Sequence, residues 1–282
     1  MTSSNSGKLW IVATPIGNPG DLAPRAREIL AAADLVLAED TRRSGLLLSA
    51  CGIMPKRFLS LHDHNEKGRI AAVLSELQNG SAAALVSDAG TPLISDPGYQ
   101  LVRACREAGI AVSPVPGPSA PVAALSASGL PPMPFTFLGF PPRAAGDIRK
   151  FFAPYAGLES TLVFFERKDR LAATLALAHE ILGERAGCIA REITKTYEEF
   201  IPFSLARQGE SLAEDQGLLG EITVILGPPQ QVPATPEDAV REAIREQRER
   251  MPEARPREIA RSAQRLVSGW TVDAVYALLR RV

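Results

Sequence analysis

Along the first 130 residues, short apolar runs alternate with stretches of helical periodicity, and no other property of the chain narrows its fold so far. KLWIVA, DLVLAE, RFLSLH, AAALVSD and IAVSPV are short, apolar and bounded by turn formers, the pattern of strands. Between them, LAPRAREILAAA, SGLLLSAC, NEKGRIAAVLSELQ and GYQLVRACREAG carry apolar residues at helical spacing, the last closed by Gly109. Asp21 and Asn65 stand where helix N-caps belong. Strands that are apolar throughout are buried on both faces, which predicts a mostly parallel sheet covered by helices on either side.

GLPPMPFTFLGFPPR (129–143) is dense in proline and glycine and marks a boundary between elements. A second α/β pattern follows, with FTFLGF, TLVFFE, GCIAREI, EEFIPF and GEITVILG as strands and DRLAATLALAHEILG as a helix. SLARQGESLAED separates the last two strands, so this sheet is expected to be mixed. After the Pro-rich linker GPPQQVPATPEDA (227–239) come three helical stretches, in which Ile259, Ala263, Leu266 and Val267 are expected on one face. Gly269 is placed to cap the second and Thr271 to open the third. The predicted organisation is an N-terminal α/β domain over 8–130, a C-terminal α/β domain over 134–228 and a helix–turn–helix-like tail over 237–282.

Several function classes fall away on composition. With 45% hydrophobic and 22% charged residues, the 282-residue chain is neither disordered nor membrane-spanning in character. No apolar run approaches the roughly 18–20 residues that cross a bilayer. The start, MTSSNSGKLW, lacks the basic and apolar regions of a signal peptide, so a cytoplasmic location is expected. Cys51, Cys105 and Cys188 are odd in number and far apart, which predicts buried reduced thiols rather than disulfides. A net charge of −1 announces no nucleic acid, although the tail from Pro233 onward carries ten arginines against eight acidic residues.

In an open parallel sheet, ligands bind beyond the carboxyl ends of the strands. The turns there are ATPIGNPGD, AEDTRRSG, HDHNEKG, SDAGTPLISDPG and PVPGPSAP. Glycine lets backbone approach a ligand, proline stiffens the turn, and a strand-end aspartate can accept from ribose hydroxyls or amines. Such turns repeated along one edge predict a site. TPIGN is not G-x-G-x-x-G, and neither a Walker A sequence nor a G-x-S-x-G elbow occurs, so a dinucleotide site, a phosphate cradle and a serine hydrolase are unsupported. His62-Asp63-His64 lacks a third partner in sequence, and no metal is predicted.

TPIGN, AEDTR, HDHNE, VSDAGTPLISDPG, PGPSA and the later ARE-TK (Ala190, Arg191, Glu192, Thr194, Lys195) occur in this order. Over roughly residues 8–228 the chain thereby resembles the bacterial ribosomal RNA small-subunit methyltransferase I family, 16S rRNA (cytidine-2′-O)-methyltransferases of the tetrapyrrole-methylase superfamily. The tail is similar to that family's C-terminal helical extension.

The resemblance implies S-adenosylmethionine as donor, held between two α/β domains. It implies a homodimer, and a cytidine in the decoding region of 16S rRNA, on the small ribosomal subunit, as acceptor. Carried over by motif, Pro15, Asp88, Gly90, Thr91, Ser119 and Ala120 would line the cofactor site from the first domain; Phe165, Glu166, Ala190 and Thr223 would do so from the second. The 2′-oxygen is weakly acidic, so a base or an oxyanion-stabilising cation would help its attack. Asp40 and Arg42 of AEDTR, Asp63 and His64 of HDHN, Asp88, and Lys195 are candidates for that role. For Asp40 and its neighbours, a helix N-cap with a local salt bridge weighs equally. Arg42, Arg43, His62, His64, Asn65 and Lys195 are candidates for contact with RNA. Two alternatives keep their place: the same fold acting on a tetrapyrrole or protein acceptor, and a non-catalytic RNA-binding ribosome-assembly factor.

Overall fold

The computed structural model describes residues 7–208, 221–230, 234–267 and 269–280. It divides into two compact units, Met1–Pro229 and Gln230–Val282.

In the first unit the five early apolar runs become five strands: β1 (Lys8–Val12), β2 (Leu35–Ala38), β3 (Phe58–Ser60), β4 (Ala82–Leu85) and β5 (Ala111–Val115). They lie in the order β3-β2-β4-β1-β5, and every neighbouring pair is parallel. Helices α1 (Pro24–Ala32), α2 (Thr41–Ala50), α3 (Glu66–Gln78), α4 (Tyr99–Glu107) and α5 (Ala120–Ala127) follow the strands in turn. Alternate strand residues feed opposite faces. Val12, Val36 and Ala84 pack with Ala26, Leu30 and Leu48 of α1 and α2. Leu9, Leu35, Leu37 and Leu85 pack with Val73, Leu77, Leu101 and Cys105 of α3 and α4. Burial on both faces is why these strands read as unbroken apolar runs, each fully buried leucine contributing about 1.5–3 kcal/mol.

Two of the expected helix starts differ from the sequence reading. Asp21 does not cap α1: it ends a short 3-10 turn (Pro19–Asp21) capped by Asn18, and α1 opens on Pro24 without a side-chain cap. A proline at the first turn removes an amide that would need one. Asn65 does occupy the N-cap position of α3, but its amide turns back into the loop, accepting from His62 N at 2.9 Å and donating to Ser60 O at 3.2 Å. The start of α4 borrows its cap from α3, since the buried Glu66 carboxylate accepts from Leu101 N at 2.9 Å. Gly98, just before α4, has φ +121°, and a Cβ there would stand 2.5 Å from Leu85 Cδ2, so only glycine fits.

The second sheet comprises β6 (Phe135–Phe137), β7 (Thr161–Arg167), β8 (Ala186–Arg191), β9 (Glu199–Ser204) and β10 (Glu221–Leu226), ordered β6-β7-β10-β8-β9. Only the β6–β7 pair is parallel, so the sheet is mixed, as expected. The connector SLARQGESLAED lies outside the described residues from position 209 on. Helices α6 (Ala145–Phe152) and α7 (Lys168–Leu182) cover one face through Phe152, Phe164, Leu171 and Leu175. The other face meets α5 through Ala124, Leu125, Val163, Ala190 and Ile225. Arg185, fully buried, holds this end together: its guanidinium donates to the carbonyls of Tyr155, Ala156, Leu158, Ser160 and Gly227.

The second unit packs α8 (Glu237–Arg250), α9 (Pro256–Gln264) and α10 (Val272–Leu279) around Val240, Ile244, Ala260, Ala263, Val275 and Leu278. Thr271 caps α10 by accepting from Ala274 N, as predicted, whereas Gly269, at φ +74°, does not cap α9: that helix ends at Gln264 with Arg265 as its C-cap, four residues earlier. Leu266 leaves the expected apolar face: α9 ends at Gln264, and the side chain is 59% exposed. All three cysteines are buried and free. Among the described residues, no helix is long and apolar enough to cross a membrane.

Candidate functional site

Three turns at the carboxyl edge of the parallel sheet are laced together. Thr14, after β1, exchanges backbone hydrogen bonds with Gly90, after β4, at 2.8 and 3.1 Å. The Thr14 hydroxyl donates to Ser87 O at 3.2 Å, and the Thr91 hydroxyl donates to Pro118 O, after β5, at 3.0 Å. Gly90 has φ +83°, a conformation glycine adopts without strain.

The second sheet supplies the facing wall. Phe165 of β7 and Thr223 of β10 sit opposite each other in register, and Ala190 of β8 pairs with Thr223 on its other side. Phe165 is braced by Phe137 and Phe140, each with its ring centroid 5.1 Å away. Between the walls lies a cleft of about 340 Å³. Its rim is joined where Asn18 N donates to Thr194 Oγ1 at 3.1 Å. Four non-glycine residues with positive φ border it: Leu93 (72°) and Ser95 (71°) after β4, and Glu192 (50°) and Thr194 (68°) after β8. Such backbone strain gathers at sites where the surrounding structure over-determines a loop.

Most of the predicted cofactor residues meet in this cleft. Asp88, Gly90, Thr91, Ser119, Ala120, Phe165 and Thr223 all line it, together with Arg43 and Lys195. Pro15 is buried beside it, and its neighbour Ile16 takes the lining position. Ala190 is fully buried beneath the same wall, in the cluster under α5. Glu166 is a correction. Strand alternation sends its side chain to the opposite face of β7, where it accepts from Thr174 Oγ1 at 2.6 Å and pairs with Arg170 at 3.3 Å.

The AEDTR motif splits in the same way. Asp40 caps α2, accepting from Arg42 N at 2.8 Å and Arg43 N at 3.4 Å, and these amides hold its carboxyl below the usual range. Its carboxylate is therefore committed to the helix, which corrects its place among the catalytic candidates. Arg42 points to solvent outside the cleft, whereas Arg43 enters it, with Nη1 3.6 Å from Asp88 Oδ2. His62, His64 and Asn65 form a polar loop outside the lining, the two imidazole centroids 6.0 Å apart. Lys195 lines the cleft and pairs with Glu192 at 3.0 Å.

The residue that sequence reasoning passed over is Glu39. It ends the β2 edge, lines the cleft beside Asp88 and has its pKa raised, first by desolvation and then by the carboxylates of Asp88 and Asp63. The strand-end position was legible, but the adjoining cap sequence drew the reading to Asp40.

The donor set fits S-adenosylmethionine. Ile16, Ile94, Phe140, Phe165 and Ile193 offer apolar surface for an adenine, and Thr91, Ser119 and Thr223 line the same space. Carboxylates of Asp88, Asp96 and Glu192 suit a ligand bearing sulfonium and ammonium charges. At Gly90 a Cβ would make only ordinary contact, 3.4 Å from Ile16 Cγ2, so it is the φ of +83° that favours glycine in this lining turn.

Comparison with known proteins agrees with this geometry. The family described as Tetrapyrrole (Corrin/Porphyrin) Methylases matches residues 8–207. The ribosomal RNA small subunit methyltransferase I of Escherichia coli O157:H7 is 47% identical over 244 residues, 84% of each chain. The protein of that name from Mycobacterium bovis is 48% identical over 224 residues, 79% of this chain and 78% of the relative. Among solved structures, the methyltransferase CobJ superposes with a TM-score of 0.59 at 19% identity, over 82% of this chain and 96% of that one. A uroporphyrin-III-C-methyltransferase from Thermus thermophilus gives 0.53 at 22%, over 78% and 94%. At that identity the structural likeness speaks for the fold alone. With the family match spanning residues 8–207 and nearly half of the aligned residues identical in these relatives, the chain belongs to the tetrapyrrole (corrin/porphyrin) methylase family, alongside the ribosomal RNA small subunit methyltransferases I.

Proposed function

We propose that this protein methylates the ribose 2′-oxygen of a cytidine in 16S rRNA of the small ribosomal subunit, with S-adenosylmethionine as donor. The observation that carries the reading is the convergence of Asp88, Gly90 and Thr91 with Phe165 and Thr223 in one cleft. It occurs in a chain 47% identical, over most of its length, to a protein named for ribosomal RNA small subunit methylation.

When bound, the cofactor supplies an electrophilic methyl group, whose transfer to an oxygen leaves neutral S-adenosylhomocysteine. The chain's own contribution is to hold and orient. The turn of residues 88–91 and the Phe165–Thr223 wall grip the donor, while Arg43 and Lys195 present cations at the cleft for the RNA backbone. Arg42, His62, His64 and Asn65 extend a polar surface nearby for the same strand. In this reading, residues 8–130 and 134–228 act as the two halves of a cofactor cleft and 237–282 as an appended tail, in a cytoplasmic homodimer.

The test is transfer of labelled methyl groups to unmodified small subunits and, separately, to naked 16S rRNA. Wild type should label one of them, and Asp88→Ala and Gly90→Arg should abolish transfer while remaining folded. Full activity in both variants would place the chemistry elsewhere.

A further inference from the structure

A ribose hydroxyl must lose its proton as its oxygen attacks, and the cleft holds four carboxylates that could receive it. Three are engaged. Asp88 faces Arg43 at 3.6 Å and Ser44 Oγ at 3.5 Å, Glu192 pairs with Lys195 at 3.0 Å, and Asp96 also has a partner. Among the described residues, the Glu39 carboxylate alone of the four has neither hydrogen bond nor ion pair, although it lines the same cleft. We propose that Glu39 is the group that accepts the proton of the attacking ribose hydroxyl, an inference that rests on the methyltransferase reading above.

Position supports the assignment. Glu39 follows directly on β2, whose neighbour is β4, with Leu37 in register with Leu85, so Glu39 and Asp88 leave the sheet side by side. The two carboxylates then differ in surroundings, and such pairs divide acid–base labour. Asp88 is held by a cation and a hydroxyl and is suited to hold a ligand; Glu39 is free to take up a proton. The groups facing Glu39 are Asp88 from the turn after β4, Asp63 and His62 from the turn after β3, and Arg43 from α2. Desolvation, Asp88 and Asp63 raise its proton affinity, outweighing His62 and Arg43, and a carboxylate of raised affinity is the stronger base.

The balance is simple. The O–H bond breaks with its electron pair staying on oxygen, that oxygen bonds the methyl carbon, the carbon–sulfur pair leaves with sulfur, and the proton rests on a Glu39 oxygen before passing to solvent. No further reactant is needed.

The experiment compares wild type, Glu39→Gln and Glu39→Asp on small subunits, with cofactor affinity measured by calorimetry. Glu39→Gln should lower kcat by about a hundredfold or more, a common contribution of a positioned base, with KM and cofactor affinity nearly unchanged. Glu39→Asp should recover part of the rate. The acid limb of the wild-type kcat profile should lie above the ordinary glutamate range and vanish in Glu39→Gln. In parallel, carbon-13 titration of labelled glutamate carboxyls, with the Glu39 signal identified by its loss in Glu39→Gln, should show it protonating at higher pH than the exposed glutamates. A Glu39→Gln enzyme with near wild-type kcat and the same limb, a loss confined to KM, or an ordinary titration of Glu39 would each overturn the proposal. An inactive wild type would overturn the methyltransferase reading and this assignment with it, whereas an active wild type with an active Glu39→Gln overturns the assignment alone.

Discussion

Asn18 donates its backbone amide to the Thr194 hydroxyl at 3.1 Å, tying the turn after β1 to the turn after β8 across the cleft. Beside it, Gly17 packs so closely that a Cβ would stand 2.6 Å from Lys195 Cγ, 2.8 Å from Thr194 Oγ1 and 2.9 Å from Ile193 O. Gly17→Val must therefore displace the second turn. Its expected effect is a cofactor affinity about tenfold weaker, roughly 1.4 kcal/mol, measured by calorimetry on a protein that remains folded.

Asp88→Asn separates holding the ligand from holding the fold. The Arg43–Asp88 pair is largely solvated on the arginine side, with that side chain 75% exposed, so its loss should change stability by less than about 1 kcal/mol. The same change removes a negative charge from the cleft and should weaken cofactor binding far more than it shifts Tm. Equal losses in both would contradict this division.

Arg185 is a stability residue with no part in the cleft. Its guanidinium serves five main-chain carbonyls from a fully buried position, a task that the three donors of a lysine cannot reproduce. Arg185→Lys is expected to cost about 2–4 kcal/mol in denaturant unfolding, from carbonyls left unpaired.

Burial pushes the Cys105 thiol up to about 11 and raises Cys188 as well, while Cys51 is buried too. Because only the thiolate reacts, native protein at pH 8 should resist alkylation by iodoacetamide, and denatured protein should take up three labels. Rapid labelling of the native protein would contradict the packing around these residues.

The parallel sheet was legible because burial on both faces leaves an unmistakable apolar run, and its ligand edge because Gly, Pro and Asp recur there. Glu166 was not, since adjacent strand residues point to opposite faces and the motif LVFFE does not say which faces the cleft. The short helix α6, with glycine in its first turn and prolines before it, has no counterpart among the expected helices. Leu266 was misplaced because α9 ends at Gln264, although no glycine or proline stands there to mark the stop. Glu39 was obscured by its own neighbour: Asp40 in AEDTR is the stronger local signal, and the structure assigns it to the helix cap. Separating the two requires knowing which carboxylate has an amide to serve.

The most direct measurement is mass-spectrometric mapping of ribose methylation in 16S rRNA after incubating unmodified small subunits with this protein and labelled S-adenosylmethionine. The account predicts label on the 2′-oxygen of a single cytidine. Label on a base, on several unrelated nucleotides, or on no RNA despite cofactor binding would contradict it.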